Sequence, residues 1–195
     1  MNKIIYFLFF TQISLSFSQE IITDIQGKKL SYFETIEKNQ NGILVKTYGT
    51  HILPDNLAQP ITYKRKENII PDLLVQYTVD KKDSIVNNVF YEWNVYNFDQ
   101  SLNNTKSDEF NKALIKKYYS LLKTLTDKYG QSKSEGGLEN LNEINSKEGL
   151  KRHDEWKPND NMEIEMYIVI SNYYEKRGFV TFNPTHKIRL YIRSR

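Results

Sequence analysis

Cysteine is absent from all 195 residues. Thiol nucleophiles, thiolate zinc sites and cysteine-held iron–sulfur clusters are thereby excluded. No disulfide can staple the chain, so a hydrophobic core alone must hold it together. Surplus charge is lacking too: 27 Lys and Arg against 24 Asp and Glu give +3, which offers no electrostatic reason to invoke nucleic acid or an anionic membrane as a partner. Glycine (8) and proline (5) are scarce. With no repeat, no low-complexity block and no Pro-, Gly- or Ser-rich linker, one domain is expected. The GxGxxG, P-loop, HExxH, GxSxG and EF-hand signatures are all missing, which removes those classes and says nothing of others. The three histidines, His51, His153 and His186, form no ligand-spaced pair, so neither a metal nor a cofactor is expected.

Long apolar runs are also missing, with one short exception. Ile4–Phe10 follows the basic Lys3 and precedes small residues at Ser16 and Ser18. At well under the roughly 20 residues that span a bilayer, this pattern reads as a secretory signal peptide over residues 1–18, cut after Ser18. Cleavage removes one Lys and no acid, leaving +2 on residues 19–195. The absence of cysteine after the cut disfavours a lipid anchor. The product is expected in the periplasm or outside the cell, without stable membrane insertion. The Lys, Asn, Ile and Tyr richness resembles the codon bias of an AT-rich bacterial genome.

What the chain does contain is pattern. Across Thr105–Gly130, Phe110, Ala113, Leu114, Tyr118, Leu121, Leu122, Leu125 and Tyr129 recur at the three-and-four spacing of one helix stripe. Thr105 or Ser107 supplies a cap, Asp108 and Glu109 favour the positive end of the dipole, and Gly130 stops the helix, predicting it over about 107–129. Alternation predicts strands at Leu73–Val79, Val89–Val95, Met162–Ile170 and Ile188–Ile192. Leu30–Glu37 and Ile43–Tyr48 read as a hairpin about Asn41-Gly42. Ile61–Lys66 reads as a short edge strand guarded by Lys64, Arg65 and Lys66, and Lys151–Trp156 as a short strand. The expected fold is α+β: a twisted antiparallel sheet built from hairpins, with the long helix packed across one face.

Two surfaces carry chemistry. Lys187, Arg189, Tyr191 and Arg193 alternate with apolar residues in the last strand and form a basic, aromatic stripe suited to a protein or glycan partner. Arg152-His153-Asp154-Glu155 is a dense polar cluster with acid/base groups, although an extended segment turns His153 and Glu155 to one face and Asp154 to the other. The Ser120/Lys123 pair matches SxxK of serine β-lactamases, but it lies in mid-helix without its companion motifs. Asn103-Asn104-Thr105 is a glycosylation sequon. The leading expectation is an exported, non-enzymatic binding domain. A hydrolase using His153 with Asp154 or Glu155 and a structural envelope subunit are the alternatives.

Overall fold

The computed structural model describes residues 20–46 and 52–194. The signal peptide over 1–18, His51 and residues 47–48 of the expected second strand lie outside the described residues. In chain order the described elements are α1 (Leu30–Asn39), β1 (Ile43–Val45), β2 (Ile61–Arg65), β3 (Leu73–Val79), β4 (Val86–Asn94), α2 (Asp108–Tyr129), β5 (Lys133–Gly136), β6 (Leu150–Asn159), β7 (Met162–Ser171), β8 (Glu175–Arg177), β9 (Val180–Phe182) and β10 (Thr185–Ser194). Eight strands form one sheet in the order β1-β2-β3-β4-β10-β7-β6-β5, and β8-β9 is a separate hairpin. Every pairing is antiparallel.

The helix α2 sits where its stripe directs it. Leu114, Tyr118, Leu121 and Leu125 are buried, and Phe110, Leu122 and Tyr129 pack at the margin. At about 1.5–3 kcal/mol per fully buried side chain, this seam is a large share of the core. Ser107 is the cap, its hydroxyl accepting the Phe110 N–H at 3.3 Å. Gly130 at φ 82 ends the helix in a backbone region that only glycine enters freely. The stripe shares one core with alternate residues of five strands, among them Val75 and Tyr77 of β3, Tyr91 and Trp93 of β4, Ile188 and Leu190 of β10, Ile164 to Ile170 of β7 and Trp156 of β6. Polar ties pin it: Tyr118 donates to Asp154 at 2.6 Å, and Lys117 and the Trp93 indole both donate to Glu67 Oε1 at 2.9 Å.

Three expectations need correction. Leu30–Asn39 is a helix, not the first arm of a hairpin. It turns Phe33 into the core, 5.1 Å from the Tyr77 ring, and sends Glu37 to a buried ion pair with Arg65. Residues 41–42 thus join a helix to a strand. A Cβ at Gly42 would sit 2.4 Å from the Glu37 carboxylate, so the glycine is there for close approach. Next, β2 is not an edge: β1 pairs with its outer side, and Arg65, expected to repel neighbours, points inward. Last, β6 runs past Trp156 to Asn159, with Pro158 accommodated where the register shifts between Trp156 and Asn159.

Candidate functional site

Both helices lie on one side of the sheet, so the other side is built from the alternate residues of the same strands. The corresponding stripe of β10, Lys187, Arg189, Tyr191 and Arg193, is all on this uncovered face and half-buried. The strand order puts it mid-sheet, between β4 and β7. Its charges therefore do not guard an edge; Arg189 meets partners on both sides and Arg193 on one.

Register decides those partners. Tyr191 faces Phe90 of β4 and Glu165 of β7, while Arg189 faces Glu92 and Tyr167. The Phe90 and Tyr191 rings stack with centroids 4.6 Å apart and planes 19° apart, and Tyr167 extends the row at 6.4 Å from Tyr191. Cations cover the ring faces: Arg193 lies 4.6 Å from the Tyr191 centroid, and Arg189 lies 5.8 and 5.9 Å from Phe90 and Tyr167. Arg189 donates to Glu92 Oε1 at 2.5 Å and to the Tyr167 hydroxyl at 2.9 Å. Arg193 pairs with Glu165 at 2.9 Å. Burial works against the Arg189 charge, but Glu92 and Tyr167 outweigh it and hold its pKa above the ordinary value. Burial, reinforced by Tyr167, pushes the Tyr191 hydroxyl up to about 12, so it remains a neutral donor.

The second cluster is divided by the pleat. Asp154 faces α2 and is fully buried, accepting from Tyr118, from Ser132 at 2.6 Å and from both Arg152 nitrogens at 2.8 and 3.0 Å. His153 and Glu155 are on the uncovered face, where His153 Nε2 lies 3.3 Å from Glu165 and 3.7 Å from Glu155. His153 and Asp154 are thus on opposite sides of a sheet, and Asp154 is committed to tying α2 down. His186 is also turned to the helix side, buried against Phe110 with Nε2 3.0 Å from the Asn172 carbonyl oxygen. Burial and the neighbouring Lys106 depress its pKa to about 4, leaving a neutral ring. Among the described residues no group of three His, Asp or Glu side chains is placed to hold a metal, and no helix is long and apolar enough to cross a membrane.

Reading along the strands identified the β10 stripe but not Phe90, Glu92, Glu165 and Tyr167 as its companions. Each lies on the wetter phase of its own alternation, so the signal for facing was present. The signal for adjacency was not, because β4 is distant in sequence from β7 and β10, and the β8-β9 hairpin intervenes between those two. No family model, no curated protein and no solved structure matches this chain. The geometry therefore stands by itself: an α+β domain with one helix-covered face and one bare face whose centre is a ring-and-cation ladder.

Proposed function

We propose that this chain is an exported, non-catalytic binding domain that seats a protein partner on the uncovered face of its sheet. The observation that carries the reading is the Phe90–Tyr191–Tyr167 row, interleaved with Arg189 and Arg193 at the centre of that face. Tyr and Arg are the residue types that dominate protein interfaces, where a rigid amphipathic ring or a planar cation loses little freedom on binding. The rings stack on one another and under cations, so they offer edges and hydroxyls rather than bare faces. A sugar stacking on an aromatic would need a bare face; a protein surface does not. Size agrees: eight strands at about 4.8 Å spacing and about seven residues of length give roughly 800 Å² of projected face, close to one side of a standard protein interface.

Site-specific photo-crosslinking in the source cells tests the reading. A crosslinker at Arg193 is expected to capture one discrete protein, and one at Lys116, on the exposed side of α2, is not. Tyr191→Leu is expected to weaken binding of the captured protein by about tenfold or more. Capture from both positions alike, or from neither, would overturn the assignment, as would glycan-array binding that depends on Tyr191. Export is supported by residues 1–18. Just after the expected cut, the Glu20 carbonyl accepts from Arg65 at 2.9 Å. N-terminal sequencing of the cellular product is expected to begin at Gln19; a product that keeps Met1 would refute export by cleavage.

A further inference from the structure

At one end of the uncovered face, where β4 finishes and β10 starts, the sheet opens into a cleft of about 260 Å³. Its floor is Asn94, Lys187 and Arg189, and its walls include Asp99, Ser101, Asn183 and Thr185 from the adjoining loops. Charge in the cleft is filled unevenly. Glu92, behind the floor, has its two oxygens taken by Arg189, by Asn94 at 3.2 Å and by Asn97 at 2.6 Å. Asp99 accepts the Ser101 N–H at 3.1 Å and lies 3.9 Å from Lys106. Arg189 is bound to Glu92 and Tyr167. Lys187 is the remaining charge: half-buried, with no carboxylate within ion-pair distance among the described residues, it lies 6.0 Å from the Tyr167 ring centroid and feels the charge of Glu92 from further off. A lysine stripped of part of its water and given no direct ion pair costs stability, and the fold retains it on the floor of a polar cleft.

We propose that this cleft is a carboxylate-binding subsite, with Lys187 as the cation that receives the acid, beside the neutral Asn94, Ser101, Asn183 and Thr185 and across from Asp99, whose own charge is engaged by Ser101 and Lys106. One unfilled ammonium matches one negative charge, and the volume suits a small acid or a single side chain, below the usual size of a drug-like pocket. Burial and the neighbouring Arg189 lower the Lys187 pKa, and the Glu92 charge behind the floor offsets them only in part. The carboxylate has two possible sources, a free small acid or an Asp or Glu side chain of a bound protein. The subsite shares its face with the proposed partner surface, but its chemistry does not depend on that partner.

The test is an NMR titration of the purified, isotope-labelled protein with sodium acetate and, separately, with an N-acetyl-glutamate-containing tripeptide amide, against sodium chloride at equal ionic strength. The backbone signals of Asn94, Ser101, Thr185 and Lys187 are expected to shift saturably, with acetate dissociating on the order of 1–10 mM. Lys187→Met should weaken this about tenfold or more, Lys187→Arg should largely preserve it, and the melting temperature of Lys187→Met should equal or exceed that of the wild type. Equal affinity for acetate and peptide identifies a free acid as sufficient, whereas a peptide preference of about tenfold or more points to a protein side chain; both outcomes support the subsite. Shifts that do not saturate, that persist unchanged in Lys187→Met, or a Lys187→Met protein that melts well below the wild type would overturn it. A failed crosslink at Arg193 would leave this result standing, so the two readings fail separately.

Discussion

Arg65→Met is expected to lower unfolding stability by about 3–5 kcal/mol, the range for removing one partner of a buried ion pair. Both side chains are fully buried. Arg65 donates from Nε to Glu37 Oε2 at 2.8 Å, from Nη2 to Glu37 Oε1 at 2.5 Å, and from Nη1 to Gln40 Oε1 at 2.7 Å and to the Glu20 carbonyl at 2.9 Å. The Tyr77 hydroxyl also donates to Glu37 Oε1. Without the guanidinium, Glu37 keeps a carboxylate in the core with one hydroxyl for company, and the N-terminal segment, α1 and β2 lose their common fastening. Against a typical total of about 5–15 kcal/mol this is a large fraction. The companion change tells charge from packing: Arg65→Met with Glu37→Gln should be more stable than Arg65→Met alone, because the stranded charge has gone while Tyr77 keeps an acceptor. Urea unfolding of the wild type, Arg65→Met and the double variant measures this. A loss under about 1 kcal/mol for Arg65→Met, or a double variant no better than the single, would show that the pair is not desolvated as described.

Asp154→Asn is expected to cost about 2–4 kcal/mol at neutral pH and to flatten the acid limb of the stability profile. Burial raises the Asp154 pKa, but hydrogen bonds from Arg152, Ser132 and Tyr118, with the Arg152 charge, outweigh it and place the carboxyl below its ordinary value. A carboxylate depressed in the folded state contributes stability that is fully present above its unfolded pKa, about 3.9, and is lost as pH falls through the folded value. The wild type should therefore lose stability steeply below about pH 4, and Asp154→Asn less steeply over the same window. Melting curves at about pH 7 and about pH 3 separate the two; parallel slopes would mean that Asp154 does not carry the acid sensitivity. Asp154 is a structural anchor under α2, and the same pleat that turns it there puts His153 and Glu155 on the other side of the sheet.

What could be read from the chain alone divides along a physical line. Helix α2 was predictable because its stripe, its Ser107 cap, its acidic first turn and its Gly130 stop all agree, and local agreement of this kind needs no knowledge of the rest of the fold. Helix α1 lacks those signs: Lys29 offers no side-chain cap, and its first turn has no acid. Its helicity is decided by Phe33 and Glu37 finding Tyr77 and Arg65, contacts made across 28 to 44 residues of chain. The same distinction holds on the uncovered face. The stripe of β10 follows from a period of two, whereas its meeting with Phe90 and Tyr167 follows from strand order, which no local pattern encodes. The Lys187 cleft is legible only in three dimensions, since its floor and walls come from segments about 90 residues apart in sequence.

The central place of β10 has a consequence for synthesis. Among the described residues, strands β1 to β4 and strands β5 to β7 form two groups that touch within the sheet only through β10, and β10 follows all of them in chain order. Until residues 185–194 have emerged, the edges of β4 and β7 that will flank it lack their neighbour, and the core beneath has a slot where Ile188, Leu190 and Ile192 belong. A sheet arranged in this way stays open while its two halves are made and closes once, by the insertion of a single later strand between them.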